Sequence, residues 1–167
     1  FTLDEAEALA NTLVNVLEPH CHRIAMAGSI RRRKRLVKDI EIVAIPKPYD
    51  TGLFLSGVAE VMEHWSIIKG PPGPDRKYTQ VQLYDKGPDM KLDLFWCKHE
   101  NWGLTMCYRT GSSTFNKARL LPALNMAGYE MDKGWLWYQG EKVNTYEEKE
   151  VFERASLPYM EPEERNL

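Results

Sequence analysis

The stretch DIEIVAI, residues 39–45, constrains this chain more than any other. Successive side chains of a strand point to opposite faces. Ile40, Ile42 and Ala44 therefore make one wholly apolar face, while Asp39, Glu41, Val43 and Ile45 make the other. Such a strand belongs in a sheet whose apolar face is covered, with two carboxylates side by side near the strand's start. Immediately before it, Arg31, Arg32, Arg33, Lys34, Arg35 and Lys38 fill six of eight positions. A solvated basic face does not need the acids, and a buried strand face does not favour two of them together.

The rest of the sequence narrows the classes. With 167 residues the chain can bury one core, or two small lobes sharing an interface. Its 43% apolar and 28% charged residues are those of a globular protein and not of a disordered one. There is no long apolar run and no signal-peptide pattern. Cys21, Cys97 and Cys107 are scattered and form no CxxC, which suits a reducing interior and speaks against a disulfide framework or a zinc site. An intracellular, monomeric protein without membrane attachment is expected. The net charge of −2 hides a segregation: residues 23–38 carry seven Lys or Arg and no acid, and residues 141–167 carry eight acids against four bases. Charge alone fits an exposed basic loop as well as a binding surface.

Periodicity predicts a helix over 2–18, with Thr2 and Glu5 at capping-box spacing and Pro19 after its end. Strands are expected at 23–27, 39–45, 78–84 and 90–96, with turns at 70–74 and 85–89. Helices are expected at 52–65, 101–107, 115–126 (despite Pro122) and 146–155, and a hairpin at 135–143 turning at Gln139-Gly140. The fold class read from this order is α+β: a mixed or antiparallel sheet with helices over residues 1–98, then a small α/β lobe over 99–167. Trp135 and Trp137 are assigned to the core of that lobe, and the adjacent His20, Cys21 and His22 to structural or surface roles.

Asp93 lies in another alternating strand, MKLDLFW. Three carboxylates on neighbouring strands repel one another unless a cation neutralises them. Hard divalent ions such as Mg²⁺ suit carboxylate oxygens together with substrate phosphates. On their own, Asp39 and Glu41 read equally well as solvent-facing partners of the arginines. Gly28-Ser29 adds a small-residue turn whose N–H groups can hold phosphate oxygens, with arginines behind it.

The pattern AGS, nine residues, DIEI resembles the nucleotidyltransferase signature. YRTGSSTFNKAR (residues 108–119) resembles the Tyr-Phe-Thr-Gly-Ser…Phe-Asn-Lys/Arg stretch of family X DNA polymerases, and EEKEVFERASLPYMEPEER (147–165) resembles that family's C-terminal motif. The likeness covers nearly the whole chain. It implies a polymerase beta-like palm over 1–98 and a thumb over 99–167. Asp39, Glu41 and Asp93 would be the catalytic residues and would hold two Mg²⁺ ions, with Mn²⁺ as a substitute. Gly28, Ser29 and Arg32 would bind the triphosphate, Tyr108, Gly111 and Ser112 would lie against the sugar, and Asn116 would face the base pair. Lys91, Lys117 and Arg119 would contact DNA. The implied activity is template-directed nucleotide addition to a primer 3′-hydroxyl, in short-gap filling during repair, with gapped or primer–template DNA and nucleoside triphosphates as partners.

The sequence departs from the family at Glu41, where a second Asp is usual, and at Arg109, where an aromatic normally follows the Tyr. No helix-hairpin-helix fingers or lyase lobe precedes the palm in these residues, so neither function is expected of them. Two other readings stay open: template-independent or small-molecule nucleotidyl transfer, since the Asp-x-Glu pair also occurs among small-molecule nucleotidyltransferases although Asn116-Lys117 and the tail motif resemble the polymerase family, and a catalytically idle DNA-binding module built on the arginine run.

Overall fold

The computed structural model describes residues 1–48, 57–73, 76–84 and 89–167. The first positions of the helix expected at 52–65, the last of the turn at 70–74 and most of the turn at 85–89 lie outside the described residues.

Helix α1 (Leu3–Leu17) starts where Thr2 and Glu5 close a capping box, the Glu5 N–H donating to the Thr2 hydroxyl and the Thr2 N–H to the Glu5 carboxylate. Ala6, Ala10, Leu13 and Leu17 recur at helical spacing and are buried. Their partner is a five-stranded sheet of β1 (Cys21–Met26), β2 (Asp39–Pro46), β3 (Ser66–Lys69), β4 (Tyr78–Gln82) and β5 (Lys91–Trp96), in the order β1-β2-β5-β4-β3. Only β2 and β5 run parallel; the other pairs are antiparallel. The fold is therefore α+β with a mixed sheet. Ile40, Ile42, Leu92 and Leu94 make its back face and pack with α1 and with α3 (Gly57–Met62) into the main core.

The one-turn α2 (Gly28–Arg31) was not expected; it is too short for periodicity to register. β3 was also missed, because its four residues follow directly on an apolar helical pattern.

The second lobe begins with α4 (Trp102–Thr110). A longer helical run follows: α5 (Ser113–Phe115), a π-helical turn over Asn116–Leu120, and α6 (Leu121–Met126). Pro122 has no N–H to give and its ring crowds the turn before it. The chain accommodates it by widening that turn, with Leu121 N–H donating to Asn116 O. A three-stranded antiparallel sheet of β6 (Tyr129–Asp132), β7 (Trp135–Tyr138) and β8 (Glu141–Val143) and then α7 (Glu148–Arg154) complete the lobe. The expected turn at Gln139-Gly140 forms, both residues having positive φ.

The lobe's core holds Leu104, Phe115, Leu120, Leu136, Val151 and Phe152. Trp135 and Trp137 are not in it, which corrects the expectation. Leu136 takes the inward face of β7, so its two neighbours point outward and lie half-buried beneath Lys142, whose Nζ is 4.3 Å from the Trp135 ring centroid. A third cluster, with Val43, Ile45 and Phe95 of the sheet's front face and Trp102 and Met106 of α4, joins the two lobes.

Candidate active site

The front face of the sheet carries the acids. In the parallel β2–β5 pair Glu41 lies opposite Asp93 and Asp39 opposite Lys91, while β4 places Gln80 opposite Asp93. Each carboxylate has its own environment. The Tyr78 hydroxyl donates to Asp93 Oδ1 at 2.6 Å, and the Gln80 amide donates to the same oxygen at 2.9 Å. Glu41 lies over Gly28: a Cβ at position 28 would come within 1.6 Å of Glu41 Oε2, and the φ of +60° at Gly28 is one that side chains rarely adopt. That glycine exists so that the carboxylate can approach the turn.

Held apart in this way, the acids do not converge. Among the described residues no group of three or more His, Cys, Asp or Glu is gathered closely enough to hold a metal ion as it stands. They do feel one another. Burial and then the charge of Asp93 raise the Asp39 carboxyl above its ordinary value. Burial, Asp93 and Asp39 push Glu41 up to about 7, against the pull of Arg32 and Arg109. Burial and the bond to Asp93 hold the Tyr78 hydroxyl well above the usual range, so it stays a donor.

The Glu41 shift has a direct consequence for stability. Between the ordinary 4.5 and about 7 the folded chain keeps a proton that the unfolded chain releases, so Glu41's contribution is lost as pH rises through that window. Glu41→Gln cannot ionise. Its melting temperature is expected to match the unsubstituted protein near about pH 4, to rise above it through the window, and to stay above it beyond pH 7. A difference independent of pH would contradict the assignment.

Beside the acids, the basic turn meets the second lobe. Arg32 donates to Thr110 O through Nη1 and to Asn166 Oδ1 at 2.8 Å through Nε, and Asn166 returns a bond from its amide to Arg32 O at 2.8 Å. Ser29 is half-buried in α2, whose opening turn leaves N–H groups without intrahelical partners. Arg31 turns inward to Thr110 and Glu148, and Arg33 pairs with Glu7. Lys34, Arg35 and Lys38 are exposed.

Tyr108 and Arg109 lie in the last turn of α4, which ends at Thr110, and Gly111 follows with φ +70° and a cis bond to Ser112. The Ser112 hydroxyl accepts from Phe115 N–H, so it caps the next helix. Asn116 is 6% exposed; its amide donates to Tyr108 O and its Oδ1 has no hydrogen-bond partner. Lys117 and Arg119 are exposed on the π turn, and Lys91 is half-buried on the front face. A cleft of about 730 Å³ opens beside the acids and not over them, with Phe95, Tyr108, Arg109, Lys98, Lys133 and Trp135 in its walls.

Residues 105–166 match the family described as DNA polymerase beta thumb. DNA polymerase IV of Saccharomyces cerevisiae (strain ATCC 204508 / S288c) is 30% identical over 95 residues, 56% of this chain and 16% of that protein. The chain is family X polymerase-like. It spans about a sixth of the length of its yeast relative.

In this family X-like chain, the thumb is wired to the first lobe by residues that sequence reasoning passed over. Glu148 of α7 takes Arg31 on one oxygen and Arg165 on the other, the latter at 2.7 Å. Arg165 is 0% exposed and also donates to Met160 O. Tyr78 and Gln80 were read only as strand residues. The signal that they face the acids was their alternation in YTQVQLY, which needs the β4–β5 register to acquire meaning. No described helix is long and apolar enough to cross a membrane.

Proposed function

We propose that the chain is a template-directed DNA polymerase, with residues 1–98 as palm and 99–167 as thumb, filling short gaps in DNA inside the cell. What carries the reading is the set of three carboxylates on the paired strands β2 and β5, beside the basic turn at Gly28–Arg32, whose Arg32 is bonded to Thr110 O in the Tyr108–Ser112 turn.

By its chemistry the donor set suits a hard divalent cation, which would draw the three side chains together: all oxygen, three carboxylates, with Asp39 and Glu41 kept more basic than usual by burial and by the charge of Asp93. Asp39, Glu41 and Asp93 would hold Mg²⁺ or Mn²⁺. Bound there, such ions supply Lewis acidity to a primer hydroxyl and charge neutralisation to a departing pyrophosphate. The protein's own part is placement. Gly28 and Ser29 offer N–H and hydroxyl donors to the triphosphate, and Arg32 adds a guanidinium beside Glu41. Tyr108 and Gly111 line the sugar, with Ser112 fixing the turn they belong to. Asn116 stands at the base-pair end, where its unpartnered Oδ1 is a polar group awaiting a donor. Lys91, Lys117 and Arg119 meet DNA phosphates, and the lysines around the adjoining cleft add to a salt-sensitive hold on DNA.

The test compares incorporation of labelled nucleotide on gapped duplex, on single-stranded DNA and without DNA, each with Mg²⁺ and with Mn²⁺. Extension of the gapped primer, with the base set by the template, is expected. Equal incorporation on single strands would replace this reading with template-independent transfer. Label found only in a small product would replace it with small-molecule nucleotidyl transfer.

A further inference from the structure

Asp93 is tied to the thumb by a stack of side chains. Tyr78 and Phe95 are register partners on the front face, their ring centroids 5.2 Å apart and their planes 22° from parallel. The Arg109 guanidinium, from the last turn of α4, covers Phe95 with its carbon 4.0 Å from the ring centroid. It also lies 5.2 Å from the Tyr108 ring. At the other end, Tyr78 and Gln80 both donate to Oδ1 of Asp93. Among the described residues no hydrogen bond is placed on Oδ2.

We propose that Tyr78 is the positioning residue for Asp93, pinning one carboxylate oxygen so that the other is presented, and that Arg109 holds Tyr78 in place through Phe95 while α4 is docked on the sheet. The inference rests on Asp93 being a cation ligand, as the proposed function has it.

The physical case is one of pre-organisation. A carboxylate on a strand face can rotate about two bonds, and a cation that binds it must stop that rotation. A hydrogen bond to one oxygen stops it beforehand, and outer partners of this kind tune both the orientation and the strength of a metal ligand. Gln80 shares the work, but its amide hangs on a flexible stem. Tyr78 is rigid and has its ring fixed by the stack. Asp93 and Phe95 are two apart on β5 and so face the same side, which is why the stack and the hydrogen bond can share one tyrosine. Arg109 comes from the other lobe, so the stack is complete only when α4 lies on the sheet. An aromatic residue at 109 could also cover Phe95, but it would bring no positive charge to the acids, whereas Arg109 pulls against the rise of Glu41.

Tyr78→Phe keeps the ring and removes the donor. The full chain is titrated with Mn²⁺ alone, free ion being read by electron paramagnetic resonance, and gapped-primer extension is measured in parallel. Tyr78→Phe is expected to weaken Mn²⁺ binding by about 10–100-fold. It should lower kcat and leave KM for the nucleotide and the melting temperature little changed. Arg109→Met should act in the same direction, and the two substitutions together should cost less than the product of their separate effects. Mn²⁺ binding by Tyr78→Phe as tight as that of the unsubstituted chain overturns the proposal. So does unchanged binding by Asp93→Asn, or no binding by the unsubstituted chain, since there is then no ligand to position. If Mn²⁺ binding depends on Asp93 and Tyr78 but no primer is extended, the positioning role stands and the polymerase reading falls.

Discussion

Asp39→Asn is expected to lower the rate of nucleotide addition by about a thousandfold or more while leaving the protein at least as stable as before. Under the proposed function, the loss follows from removing one anionic ligand from the three-carboxylate set that would hold the cation. Stabilisation of transition-state charge by a bound cation is worth several kcal/mol, and about 1.4 kcal/mol corresponds to each factor of ten in rate. The gain in stability follows from electrostatics without any metal. Burial and the charge of Asp93 already hold the Asp39 carboxyl above its ordinary value, so an uncharged isostere relieves a repulsion in the folded state. Single-turnover extension and thermal unfolding on the same samples separate the two effects. A variant losing activity and stability together would mark Asp39 as a structural residue.

The second large effect concerns the fold. Glu148→Ala leaves Arg165, with no exposure at all, without its carboxylate, and strips Arg31 of the same partner. Breaking a buried ion pair from one side costs about 3–5 kcal/mol, because the remaining charge stays buried and unpaired. That is a large share of the roughly 5–15 kcal/mol by which a domain of ordinary size is stable. Glu148 is held ionised because Arg31 and Arg165 together outweigh the burial that opposes it. Its folded value is depressed, so its contribution is present above the unfolded value of 4.5 and fades as pH falls below it. Urea unfolding near neutral pH should show the full loss for Glu148→Ala and a smaller one for Glu148→Gln, which keeps an acceptor. A loss for Glu148→Ala of under about 1 kcal/mol would mean that Met160 O and water suffice for Arg165.

Much of this architecture was legible in advance. α1 was legible because its cap, its apolar stripe and its terminating proline all agree. β2, β4 and β5 were legible because alternation leaves little choice of face, and the shared face of Asp39 and Glu41 followed from the same rule. β6 was not, because YEMD mixes charge with apolar residues on a short strand. Its turn, Lys133-Gly134, was in plain sight, with both residues at positive φ. The arginine run illustrates a different limit. As a sequence it is one feature, but in the fold Arg31 is structural, Arg32 bridges to the second lobe, Arg33 pairs with α1 and the rest face solvent. Their partners lie far away along the chain, and no local pattern encodes a distant carboxylate. The role of Tyr78 was hidden for the same reason, since it depends on the register of β4 with β5.

The bonds between Arg32 and Asn166 join residues 134 positions apart. Bonds of that span hold only while both lobes are folded and docked on one another. The basic turn that would receive the triphosphate therefore owes part of its shape to the far end of the chain. Loosening the last residues would relax that cradle and leave the acids on their sheet, so the nucleotide's seat is tied to the tail and the metal ligands are not.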